Sequence, residues 1–180
     1  MIWILLVVFQ FKHFLADYIL QGTYMLGKFK DKGWVLPLAA HCGVHLLFTT
    51  VIAFSVFVHA ALTTVTADFQ STNLYIALLM IAGIFGLVDF IIHFVMDRIK
   101  ASPKLLGRFQ ALSKKEMIAS IDYEREVNER KYTDTFKAKM MEHVNKERKS
   151  NVLFWWSLGF DQMVHHLTDI LLIALIMSMI

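Results

Sequence analysis

His13, Asp17 and Gln21 recur at intervals of four, and so do His41 and His45. The same interval separates Asp89, His93 and Asp97, and then Asp161, His165 and Asp169, with Gln162 and His166 beside them. A spacing of four places each set on one face of a helix. Each set lies within an otherwise apolar stretch, where an ionisable side chain costs roughly 3 kcal/mol at the centre of a membrane helix and points to function. Imidazole and carboxylate together suit zinc, iron or manganese, and the absence of sulfur ligands disfavours Cu(I). The expected cofactor is therefore a divalent metal, one or two ions, with zinc first and iron or manganese as alternatives. Asp17, His41, His45, Asp89, His93, Asp161 and His165 are the ligand candidates. His13 and Asp97 could act as general acid or base. Gln21, Gln162, His166 and Asp169 stand where a metal-bound histidine would find its hydrogen-bond partner. Two ions a few ångströms apart would clamp the attacking and leaving oxygens of a phosphoester and make a bound water more acidic.

The elements that must position these residues follow from composition. Of the 180 residues, 57% are hydrophobic and 18% charged, against roughly 25% charged in soluble domains. The single cysteine, Cys42, excludes a disulfide scaffold and a cysteine-built zinc site. Four apolar segments, near 1–21, 35–60, 73–98 and 152–180, can each supply the roughly 20 residues a bilayer-crossing helix needs. Helix is required because backbone polar groups in lipid must be satisfied within the segment. The expected fold is an all-α membrane protein, a four-transmembrane-helix bundle with a cytoplasmic helical hairpin inserted between helices 3 and 4. The first segment lacks a basic start and a small-residue cleavage site and reads as a retained span. Gly22 is expected to end it as a C-cap, and Pro37 falls in the first turn of the second span, where a missing N–H costs little.

The charges give orientation. Fourteen of the 18 Lys and Arg lie between Arg98 and Lys149. Loop 22–34 carries Lys28, Lys30 and Lys32, whereas loop 61–72 has neither Lys nor Arg. Basic connections lie on the cytoplasmic side, so both termini are expected outside, in a bacterial inner membrane. Trp34, Trp155 and Trp156 suit a cytoplasmic aromatic belt and Trp3 an outer one. The net charge of +3 belongs to these flanks, and no nucleic acid is expected. Within the insertion at 99–151, Ser113 and Glu116 read as a capping box. Met117, Ile121, Phe136, Met140 and Val144 recur at helical spacing.

Counting inward from the cytoplasmic helix ends puts His13, His45, Asp89 and Asp161 about 14 Å deep, and Asp17, His41 and His93 about 8 Å deep. The outer half lacks ionisable residues, from Ile4 to Phe9 and from Ile76 to Phe85 among others. The pattern describes a pocket open to the cytoplasm and not a polar path. Each part also has a plainer reading. A single His–Asp pair is an ordinary interhelical hydrogen bond, His59 an interfacial residue, His143 a solvated one, and Cys42 filler. Lys12 either neutralises a buried Asp or binds an anionic substrate.

The run His13-Phe-Leu-Ala-Asp17-Tyr-Ile-Leu-Gln21 resembles the opening motif of the small bacterial and phage membrane proteins grouped as domain-of-unknown-function family 3307. The resemblance continues at His41, at His93-Phe-Val-Met-Asp97 with Lys100, and at Asp161-Gln162-Met-Val-His165. It covers the four spans and leaves the basic insertion unmatched. It implies a fold and a site, with no reaction attached. The pattern is also loosely similar to predicted membrane-bound metal-dependent hydrolases, by analogy alone.

The leading functional expectation is a metal-dependent hydrolase acting on a phosphoester or lipid-linked substrate from the cytoplasmic leaflet. The alternatives are a proton- or metal-ion-coupled transporter, a di-iron lipid oxidoreductase and a non-catalytic membrane assembly module. Expected partners are membrane lipid, a second copy of the chain and a cytoplasmic partner at the 113–149 hairpin.

Overall fold

The structure, a computed structural model, describes residues 1–30, 32–64, 72–102 and 152–180. The expected hairpin over 113–149, its capping box and His143 lie outside the described residues. The described chain is helical, with α1 at Ile2–Phe14, α2 at Val35–Thr64, α3 at Thr72–Ala101 and α4 at Val152–Ser178. A π-helical turn, Leu15–Ile19, continues α1, and a 3₁₀ turn, Met25–Phe29, lies between α1 and α2. Four helical stretches are long and apolar enough to cross a membrane: Ile2–Ile19, Val35–Thr64, Thr72–Ala101 and Trp155–Ser178. This is consistent with a multi-pass membrane protein. At 30 residues each, α2 and α3 are about 45 Å long, so they exceed a hydrocarbon core of about 30 Å and must tilt or extend beyond it.

The first span does not end on Gly22. Leu20 takes the capping position, and its N–H donates to the Leu15 carbonyl at 2.8 Å, closing the π turn. The left-handed conformation belongs instead to Gly33 (φ 73°), where the chain turns into α2. Pro37 lies in the first turn of α2, as its missing N–H allows, and is buried. A side chain at Gly27 would come within 2.8 Å of the Pro37 ring. The 3₁₀ turn therefore lies directly against α2, and the neighbouring Lys28 is buried. Trp34 holds the same corner to α3. Its ring lies 3.7 Å under the Arg98 guanidinium, a distance suited to a cation–π contact.

The helices segregate their side chains twice. Around the circumference, Ile4, Val7, Leu47, Val51, Met80, Ile84 and Leu171 are exposed, an apolar exterior for lipid to cover. Along the length, the interior changes character. One half is an apolar cluster of Leu5, Phe9, Ala53, Val56, Phe57, Ala82, Phe85, Leu172, Ile173 and Ile176. The other half buries Lys12, His13, Lys28, His41, His45, Asp89, His93, Asp97, Asp161, His165 and Asp169.

Helices α2 and α3 pack tightly at Gly86. A side chain there would collide with the Thr50 hydroxyl and the Leu46 carbonyl, the close backbone approach that small residues permit between membrane helices. Gly83, one turn away, has nothing within 4 Å of a Cβ position. Gly86→Val should destabilise the protein by about 1–3 kcal/mol through overpacking, read as a lowered thermal unfolding midpoint in detergent. Gly83→Ala should leave that midpoint unchanged or raise it.

Candidate metal centre

The site begins where α1 loosens. A π turn adds a residue to the helical repeat and often marks a functional position. Here it carries Asp17, one turn beyond His13. Asp17 Oδ2 lies 3.1 Å from His13 Nε2, and Asp17 Oδ1 lies 2.9 Å from His45 Nε2 and 3.5 Å from His41 Nε2. Carboxylate oxygens accept and do not donate. The proton of His45 is therefore on Nε2, and its Nδ1 is buried with no hydrogen-bond partner.

The same division recurs on the other helices. His93 Nδ1 lies 2.9 Å from Asp89 Oδ1 and 3.0 Å from the Asp89 carbonyl oxygen, leaving Nε2 buried and unpartnered. His41 Nε2 lies 3.0 Å from Asp97 Oδ2, and its Nδ1 is unpartnered. His165 Nε2 lies 3.3 Å from Asp161 Oδ1 and 3.8 Å from Asp97 Oδ1, again with Nδ1 unpartnered. Neither ring nitrogen of His13 has an aligned partner. The rings pack on one another: His93 is stacked between His45 at 3.8 Å and His165 at 4.1 Å. His13 lies 5.3–5.8 Å from His45, His93, His165 and His166.

Three groups gather ligand atoms within 4.8 Å of one another: His13, His45 and His93; Asp17, His41 and His45; Asp97, Asp161 and His165. Six of the seven sequence-selected ligand candidates fall into these groups, together with both proposed acid–base residues. Asp89 falls in none of them, because its contacts are with His93, Lys12 and Thr49.

Lysines bracket the cluster at both ends. Deep in the helices, the Lys12 ammonium donates to Asp89 at 2.9 Å, Asp169 at 2.8 Å and Thr49 at 3.3 Å. The Thr49 hydroxyl also donates to Asp89. Toward the other end, Lys28 donates to Asp97 at 2.8 Å and to Gln21 at 3.0 Å. Lys100 donates to Asp161 at 2.7 Å, and the Gln162 amide donates to the same oxygen at 3.2 Å. The sequence alone did not single out Lys28 or Thr49. Lys28 reads as one of three loop lysines until the fit of Gly27 on Pro37 turns it inward.

Two placements differ from the counted depths: His93, counted one turn shallower than His13 and His45, stacks on His45 and joins both in one group, and Asp161 is displaced as well. Asp161 does not share a level with Asp89. It pairs with His165 beside Asp97, and the residue that shares Lys12 with Asp89 is Asp169. The difference is two turns, about 12 Å. Equal counting assumes that every helix enters at the same depth, whereas α4 is staggered along its axis relative to α3. His59 is exposed and apart from the cluster, and Cys42 is buried.

Comparison with protein families, curated proteins and solved structures finds no match for this chain.

Among the described residues, the network sets five carboxylates against three lysine ammoniums. Removing one partner from a buried ion pair strands the other charge, at about 3–5 kcal/mol. Lys12→Met should lower stability by about that amount, measured by unfolding in detergent. Adding Asp169→Asn to Lys12→Met should recover part of the loss.

Proposed function

We propose that this protein is an integral membrane metal protein whose four spans form a helix bundle around one divalent-metal centre. The observation that carries this reading is the trio His13, His45 and His93. Each ring has a buried nitrogen with no hydrogen-bond partner, and each has a carboxylate within 3.1 Å of a ring nitrogen. Carboxylate-backed imidazoles converging from three helices match the way proteins orient histidines on zinc. Charge supports it as well. With neutral imidazoles the network of described residues is two negative charges in excess, which favours a cation beside it.

The reaction proposed is hydrolysis of a phosphoester or lipid-linked phosphate. A bound divalent metal would supply an acidified water and polarise the phosphoryl oxygens. The chain's own residues do the rest. Asp17 holds His45 in place by a hydrogen bond and lies 3.1 Å from His13. Asp89 fixes the orientation of His93, and Lys12 keeps Asp89 ionised by holding its other oxygen. Because the Lys12 ammonium is spent on Asp89, Asp169 and Thr49, charge neutralisation is the better reading of Lys12 than substrate binding. The basic loops support a polar half at the cytoplasmic leaflet, with both termini outside. The apolar cluster of Phe9, Phe57, Phe85 and Ile176 fills the outer half and argues against a transport path.

Purified full-length protein should hold zinc at one equivalent or more per chain by elemental analysis. His45→Ala or His93→Ala should remove the ion held by the trio. Asp89→Asn should weaken binding about 10–100-fold, as loss of a supporting carboxylate does. Cleavage of a chromogenic phosphodiester in mixed micelles should stop on chelation and return with zinc. Protein that binds no divalent metal would contradict the reading. Metal without turnover would remove the hydrolase and leave the centre.

A further inference from the structure

The group formed by Asp97, Asp161 and His165 differs in kind from the imidazole trio. Its atoms come from α3 and α4, and two of its three ligands are carboxylates. Each carboxylate divides its oxygens in the same way. Asp97 gives Oδ2 to Lys28 at 2.8 Å, and Asp161 gives Oδ2 to Lys100 at 2.7 Å. Each then presents Oδ1 to His165 Nε2, at 3.8 Å from Asp97 and 3.3 Å from Asp161. The Asp161 Oδ1 atom has no hydrogen-bond partner, although the residue is only 3% exposed. The two lysines thus brace the carboxylates from behind and leave a face of two oxygens and one nitrogen.

Resting on the metal-centre reading above, we infer that this face is a second cation site, selective for a harder ion than the trio. Nitrogen-rich sites favour zinc, and carboxylate-rich sites favour manganese or magnesium. The trio offers three imidazoles, and this face offers two carboxylates with one imidazole. His93 connects them, because its ring belongs to the trio and stacks on His165 at 4.1 Å. Asp97 connects them again through His41, 3.0 Å from its Oδ2. The substrate class follows from the pairing. Two unlike divalent ions in adjoining sites suit in-line displacement at a phosphoester, one ion facing the nucleophile and one the leaving oxygen.

The test is Mn²⁺ titration of zinc-loaded, full-length protein in detergent, followed by the electron paramagnetic resonance of bound Mn²⁺, with zinc measured in parallel. The expected result is one Mn²⁺ bound per chain while zinc stays in place. Asp161→Asn should weaken Mn²⁺ binding at least about 100-fold and spare the zinc, since it removes a charged ligand and not a supporting contact. His45→Ala should do the reverse. Zinc binding with no added Mn²⁺, or Mn²⁺ entering only as zinc leaves, would overturn the second site and leave the imidazole centre standing. Binding of neither ion would overturn both. The wild-type stoichiometry decides between these outcomes even if a variant fails to fold.

Discussion

An ionised carboxylate shut away from water needs positive charge or several donors within hydrogen-bond reach. Four buried aspartates and the partly exposed Asp17 face that requirement, and the contacts between the helices follow from how each meets it. Asp89 and Asp169 share one ammonium, so α1, α3 and α4 are tied at Lys12, and Thr49 brings in α2. Asp97 draws the 3₁₀ turn inward through Lys28. Asp161 takes Lys100 from the neighbouring helix. Asp17 is the exception: among the described residues it meets imidazoles only.

That exception gives the site its character. Three ammoniums leave two carboxylate charges uncompensated, and the six clustered imidazoles could offset them by taking up protons or by accepting a metal. Protonating rings stacked at 3.8 Å and 4.1 Å would set like charges against each other in a medium that screens poorly. A divalent cation, as proposed, would offset those charges without that repulsion and would use the unpartnered nitrogens as well. The apolar cluster in the other half has a complementary part. It packs the helices together without polar groups, so among the described residues the buried ionisable side chains lie toward one end.

Much of this was legible in the residues. Hydropathy located four spans, and the four-residue interval put His13 with Asp17, Asp89 with His93 and Asp161 with His165 on common helix faces, where the structure keeps them. The interval could not report how far one helix slides along another. That is why equal counting pairs Asp161 with Asp89, whereas Asp169 is the partner across Lys12. Local backbone was equally hidden. Nothing in Leu15–Ile19 announces a π turn, and Gly22 looked like a better helix end than Leu20. Lys28 was obscured by its setting among Lys30 and Lys32, since a loop lysine ordinarily reports only which side of the membrane the loop occupies. Its burial depends on Gly27 and Pro37 fitting together, a tertiary fact with no periodic signal.

In the proposed centre the buried histidines gather around a cation. Anomalous X-ray diffraction at the zinc edge, on crystals of the full-length protein grown with zinc, addresses this most directly. A peak enclosed by His13, His45 and His93 is the expected result. Crystals that diffract well enough to place those three rings, with no anomalous peak among them, would contradict it.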